Sequence, residues 1–295
     1  MPSALPLRHF LLALAVVAVW GTNFVVIKLA LGQMPPLLFA ALRFAFAWFP
    51  AAFFFPCPKV GWRNLALYGV LIGVGMFGLL YLSIDGHISP GIASLVVQTQ
   101  VFFTIGLSMR MRGERVQPYQ WLALLLATAG IANIGMHTDG TTTVLGLLLV
   151  LGAALSWAGA NTAAKEGKPD NMVAYVVWSS AFATPPLFVL SYWFEGGGAI
   201  LHGLRDANMT AWLAVLWQSW GNSLFGYAAW GWLLARHPAA TITPMALLVP
   251  VFGMGASSFW LGEPLPGWKL VAAALVMGGL AVNLLWPSIR RTLGR

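Results

Sequence analysis

The sequence predicts an all-α, polytopic membrane protein: ten transmembrane helices forming two inverted five-helix repeats around a central cavity. Three observations lead there. Apolar residues make up 59% of the 295-residue chain and charged residues 8%, where an ordinary soluble chain is about 25% charged. A soluble fold of this length could not cover itself with so few charges. The apolar residues fall into ten runs long enough to cross a bilayer, and short motifs in the first five runs return in the last five. The formal charge of +8 does not point to nucleic acid, because the basic residues sit in short gaps between apolar runs rather than clustered on one polar surface.

The first run, 10–31, carries no charge until Lys28. About 20 helical residues span the roughly 30 Å hydrocarbon core. A polar notch, Trp20-Gly21-Thr22-Asn23, interrupts it near the middle. Arg8 followed by an apolar run resembles a signal peptide, but signal cores are only about 7 to 15 residues long, so the run is read as a retained span. The second run, 35–55, opens on Pro35-Pro36, where proline suits a helix start, and contains Arg43. The third, 64–83, holds Gly69-xxx-Gly73, a spacing that lets helices approach closely, and ends near Tyr81. The fourth, 88–109, carries Gln98 and Gln100; the fifth, 118–136, opens on Pro118. The sixth, 143–164, contains Trp157 and Asn161, with Lys165 as far from Trp157 as Lys28 is from Trp20. The seventh, 172–193, has Trp178 and Pro185-Pro186; the eighth, 210–235, is rich in tryptophan. The ninth, 238–261, carries Pro244 and Pro250, which suggest a bend, and Gly253-xxx-Ser257; the tenth is 266–287. The only long gap, 194–209, is read as a loop.

Ten crossings put both termini on one side. That side holds Arg8, Lys59, Arg63, Arg110, Arg112, Arg115, Lys165, Lys168, Arg236, Arg290, Arg291 and Arg295; the other holds Lys28, Arg205 and Lys269. Cytoplasmic loops are enriched in Lys and Arg, so both termini are expected in the cytoplasm.

The doubling places Trp20 beside Trp157, Phe77-Gly78 beside Phe225-Gly226, Arg112-Gly113-Glu114 beside Leu261-Gly262-Glu263, and Gly130-Ile131-Ala132 beside Gly279-Leu280-Ala281. The units are 10–136 and 143–287. Five crossings is an odd number, so the second unit enters the membrane upside down, and inverted repeats carry substrate sites near midplane where they meet. Ala41-Leu42-Arg43-Phe44, the two Gly-Glu pairs and the glycines after them resemble the EamA family of the drug/metabolite transporter superfamily. Within it the chain is most similar to bacterial amino-acid exporters of the YddG type. The resemblance implies a bacterial inner-membrane exporter of small solutes, neutral and aromatic amino acids above all. The second unit lacks a clear copy of Arg43, so a paired role for that residue is not implied.

Buried polar groups in membrane helices face a cavity or another helix. Trp20 and Asn23 lie about 60° apart on a helix, Trp157 and Asn161 about 40°. Each pair either lines the cavity or packs helix on helix. Gln98 and Gln100 are about 200° apart; Gln98 is the expected substrate contact and Gln100 the bond to a neighbouring helix. Trp217, Gln218 and Asn222 lie deep in the eighth run and Trp178 deep in the seventh; all are candidate pathway residues, as is Tyr81, whose alternative is interfacial anchoring. Arg43 binds backbone carbonyls and fixes the second helix, meets a substrate carboxylate, or snorkels. Glu114 and Glu263, just before helix starts, are expected to interact with a helix N-terminus.

No acidic residue lies at mid-membrane, so the expected mode is export down a gradient without a proton relay. The rivals are a multidrug or metabolite exporter of the same superfamily, a channel, or a receptor. An enzyme is not expected: Ser257 has no histidine in view. No cofactor or metal is expected, Cys57 allows no intrachain disulfide, and the partners are a small-molecule substrate and the lipid bilayer, with no nucleic acid and a monomeric chain.

Overall fold

The first helix, α1 (Leu7–Leu31), begins after Pro6 and ends at Gly32. The computed structural model describes residues 5–112, 117–137 and 141–293. α2 (Pro36–Phe53) opens on a proline whose missing N–H would have had no helical partner. α3 (Trp62–Ile84), α4 (Pro90–Met111) and α5 (Pro118–Met136) follow. α6 (Val144–Gly167) is capped by Thr143, whose hydroxyl oxygen accepts from the Gly146 N–H at 3.0 Å. α7 (Met172–Phe194) is capped by Asn171 and runs on through Pro185 and Pro186.

The 194–209 stretch is not all loop: Gly196–Arg205 forms a short helix, α8. Three successive glycines argue against a helix there in sequence terms. Tertiary packing overrides them, since Gly203 sits where any side chain would strike Pro35 and Leu38. α9 is a helical run over 209–236, followed by α10 (Thr243–Leu261) and α11 (Gly267–Leu293).

Among the described residues nine helices are long and apolar enough to cross a membrane: α1 to α7, α10 and α11. α9 has the length, but five tryptophans, Gln218 and Asn222 lower its mean hydropathy. The outer surface is apolar, with Phe259 82% exposed, while Asn23, Arg43, Gln218 and Lys269 are buried. That inside-out distribution is the one lipid demands, and the protein is a polytopic membrane protein.

α5 packs along α11 and α2 along α7; α1 lies against α10 and α9, and α6 against α3 and α4. Besides the 3₁₀ end of α2 at Ala51–Phe53, four stretches leave the α-helical path. α3 widens to π-helix over Leu71–Gly78 and α9 over Trp217–Phe225. α4 tightens to 3₁₀ over Val97–Thr99 and α10 over Thr243–Leu247. The irregularity expected from Pro244 and Pro250 is thus a 3₁₀ turn at Pro244; Pro250 lies inside the α-helical part that follows. Gly69 and Gly73 of α3 face Ser179 and Ala183 of α7, as their spacing suggested. The expected docking of Glu114 falls outside the described residues.

Candidate functional site

The π-helical part of α9 positions the site. A π turn brings residues five apart onto one face and is frequent where helices carry function. Gln218, Ser219, Asn222 and Ser223 are buried together, and the Ser223 hydroxyl donates to the Gln218 carbonyl at 3.0 Å. On α1, Asn23 Oδ1 accepts from Gln218 Nε2 at 2.7 Å, and the Trp20 indole N–H donates to the Asn222 carbonyl at 3.2 Å. The Trp20 ring covers Gly226 and stands against Trp230, with centroids 5.2 Å apart.

Arg43 enters the same cluster from α2 and is 1% exposed. Its guanidinium donates to the Tyr81 hydroxyl at 2.9 Å and the Ser223 hydroxyl at 3.0 Å, and lies 3.4 Å from the centre of the Phe77 ring. It therefore neither snorkels nor binds backbone carbonyls. Hydroxyls and a ring face compensate the charge, a desolvated cation–π contact contributing about 2 kcal/mol or more. No described carboxylate lies within ion-pair reach of it. Tyr81 is fully buried and stacks on Phe39, so it is no interfacial anchor. Ser219 closes the ring of contacts by donating to the Arg43 carbonyl at 2.9 Å.

The structure thus joins Trp20, Asn23, Arg43, Tyr81, Gln218 and Asn222 into one hydrogen-bonded cluster across α1, α2, α3 and α9. The remaining candidates share no hydrogen bond with it among the described residues. Asn161 of α6 donates to Gln100 of α4 at 3.0 Å, Trp157 is half-buried on α6, and Gln98 is buried on α4. Trp178 donates to the Phe55 carbonyl at 2.9 Å, beyond the end of α2. Trp217 is 39% exposed and lies over Gly221 of its own helix. Ser219 and Ser223 escaped the sequence reading; their only signal is a five-residue spacing from Gln218 to Ser223 that matches a π turn and no α period.

These groups are hydrogen-bonding amides, hydroxyls, an indole and a guanidinium, with no nucleophile–base pair among the described residues. Ser257 donates to Glu263, and no described His, Cys, Asp and Glu cluster could hold a metal.

Two carboxylates tie helix ends together. Glu263 does meet a helix N-terminus, but that of α4 rather than its own: it accepts from the Gly91 N–H at 3.2 Å, from Ser89 and Ser257, and from Lys269 at 2.8 Å. Glu195 takes the Leu37 and Leu38 N–H groups at the start of α2, at 2.6 and 3.1 Å, and the Ser191 hydroxyl at 2.6 Å. Burial pushes the Glu195 carboxyl up despite these donors, and Asp85 adds to the push. A raised folded value makes its contribution to stability full in acid, below about 4.3 for the unfolded chain, and lost as pH rises through the raised value. The wild-type thermal midpoint minus that of Glu195→Gln should accordingly fall as pH rises across that window; a flat difference in a detergent melting series would refute it.

A family model described as the EamA-like transporter family matches residues 7–136 and again 144–285. A protein of Salmonella typhimurium named "Probable amino-acid metabolite efflux pump" is 39% identical over 287 residues, which cover 95% of this chain and 96% of that one. An Escherichia coli protein of the same name is 38% identical over 283 residues, covering 92% and 93%. A "Probable terminal-alkyne amino-acid exporter" of Streptantibioticus cattleyicolor is 28% identical over 243 residues, covering 80% and 73%. A solved crystal structure superposes with a TM-score of 0.62 at 19% identity, covering 95% of this chain and 96% of that one. At that identity the likeness is one of fold alone.

Proposed function

This chain belongs to the EamA-like transporter family, and from that membership we propose that it exports neutral and aromatic amino acids across a bacterial inner membrane. The site between its helices is reached alternately from either side. The observation that carries the reading is the buried cluster around Arg43: amides, hydroxyls and an indole held inside helices whose outer faces suit lipid. The names of the relatives that match along nearly the whole chain agree with it.

In this reading α9 also crosses the membrane, as the eighth of ten spans, 10–136 and 143–287 are inverted repeats, and both termini are cytoplasmic. Three features support the repeat. The family matches twice, at 7–136 and 144–285. Exchanging the first five spans with the last five maps the α2–α7 pair onto itself, the α5–α11 pair onto itself, and α1 against α10 onto α6 against α4. The π stretches of α3 and α9 end at Gly78 and Phe225, beside the Phe-Gly pairs that the sequence doubles. Trp20, Asn23, Gln218, Asn222 and Tyr81 form one wall of the cavity; Gln98, Trp157 and Asn161 form the other. The chain works as a monomer.

Every described acid lies in a loop or at a helix end: Asp85, Glu166, Asp170, Glu195, Asp206 and Glu263. With no carboxylate to relay protons at midplane, export runs down the substrate gradient. The test is uptake of a panel of labelled amino acids into proteoliposomes, with and without an imposed pH gradient. Saturable uptake of aromatic amino acids, weakened by Trp157→Ala, is expected; displacement by lipophilic cations instead would favour a multidrug exporter, and strict need for the pH gradient would refute uncoupled export.

A further inference from the structure

Two polar atoms of the cluster have no partner among the described residues although both are buried: Arg43 Nε and Gln218 Oε1. Arg43 is 1% exposed and Gln218 0%. One is a guanidinium donor and the other an amide acceptor. They belong to one short chain of bonds, since Arg43 donates to Ser223 and Ser223 donates to the Gln218 carbonyl. Gln218 donates one Nε2 N–H to Asn23, which fixes the side-chain amide with its oxygen unpartnered. An unmade hydrogen bond on a buried group is costly. A cluster that satisfies its hydroxyls yet leaves one donor and one acceptor open is built for a ligand that supplies the complementary pair.

Resting on the amino-acid export reading above, we infer that Arg43 and Gln218 read the zwitterion itself, Arg43 taking the α-carboxylate and Gln218 Oε1 the α-ammonium. The guanidinium suits that part. Its Nε–H and an adjoining terminal N–H form the fork that a carboxylate binds through both oxygens. Its charge lacks a described carboxylate partner, so a carboxylate entering the site supplies the counter-charge that the helices withhold. The same charge, held without an anionic partner among the described residues, repels a cation that brings no carboxylate. Recognition of the two groups common to all α-amino acids leaves the side chain to be sorted by the aromatic surfaces around it, Trp20 among them. Specificity of this kind rejects analogues lacking one group, because the site's buried polar atom is then left bare.

The experiment uses the full chain in liposomes and competes labelled phenylalanine with three analogues: phenethylamine, which lacks the carboxylate, 3-phenylpropanoate, which lacks the ammonium, and phenylalaninamide, whose carboxylate is neutralised. Each should compete about tenfold or more weakly than phenylalanine, the ratio for one lost hydrogen bond to a charged group. Arg43→Lys, which keeps the charge and loses the fork, should narrow the gap between phenylalanine and phenethylamine. Gln218→Leu should narrow the gap between phenylalanine and 3-phenylpropanoate and leave the phenethylamine gap in place. A purely structural role for either residue would change total uptake and leave these ratios alone. Phenethylamine competing as well as phenylalanine in the wild type overturns the inference, as do unchanged ratios in folded variants. The wild-type series decides the matter if a variant does not fold. Wild-type liposomes that take up no amino acid at all would bring down the export reading with it.

Discussion

Lys269→Met is expected to lower stability by about 3 to 5 kcal/mol, the cost of removing one partner from a buried ion pair. Lys269 is 1% exposed and its ammonium lies 2.8 Å from Glu263, itself nearly buried. The loss comes less from the bond than from what remains: a carboxylate shut away from water with its counter-charge gone. Burial alone would push the Glu263 carboxyl up; Lys269, Ser257 and Ser89 outweigh that and hold it below the usual carboxylate value. A depressed folded value gives stability that is present above the unfolded value, about 4.3, and lost as pH falls through the depressed one. The sign is opposite to that of Glu195. The decisive comparison is Lys269→Met with Glu263→Gln added. The double variant should melt above Lys269→Met alone, because a neutral amide can still serve Ser89, Ser257 and Gly91. A double variant that melts lower would mean that the pair is not the source of the loss. The cluster joins the start of α4, the end of α10 and the start of α11, so transport should fall along with stability in the single variant.

The spans were legible because lipid imposes one rule on a whole helix, and composition alone obeys it. The site was only partly legible. Asn23, Gln218 and Asn222 could be singled out as polar groups in apolar runs, but nothing in the sequence pairs Asn23 with Gln218 across 195 positions. Ser219 and Ser223 were hidden by the π turn, which moves them onto a face that the α period assigns elsewhere. Tryptophans look alike in sequence; only packing separates Trp20, bonded to α9, from Trp217, exposed at 39%. Lys269 entered the sequence reading only as one of the few basic residues opposite the termini, because its distance from Glu263 is six residues, a spacing with no helical meaning until the turn between α10 and α11 is closed. α8 was missed for the converse reason: glycine propensity is weak, and Pro35 and Leu38 decide the matter from outside the segment.

Gly21→Ala is expected to be the most damaging single-methyl addition in the notch of α1, and α10 shows why. A Cβ at Gly21 would come within 2.5 Å of Phe252 Cβ and 2.6 Å of the Val249 carbonyl oxygen. Neither is the end of a flexible side chain, so only separation of α1 from α10 relieves the clash. Forced overpacking typically costs about 1 to 3 kcal/mol, and a backbone obstacle belongs at the upper end. The same helix supplies the control. Gly253 faces Ser94 of α4, with a built Cβ 2.6 Å from that residue's Cβ, while at Gly255, two residues on, nothing lies within 4 Å. Gly253→Ala should therefore melt well below wild type, and Gly255→Ala should match it, although both add the same methyl group to α10. Because α1 carries Trp20 and Asn23, pushing it off α10 also moves one wall of the cluster around Arg43. Gly21→Ala should thus lose uptake even at temperatures where it remains folded, whereas Gly255→Ala should transport normally. Equal melting of the three alanine variants would show that α1, α4 and α10 are not packed as closely as described.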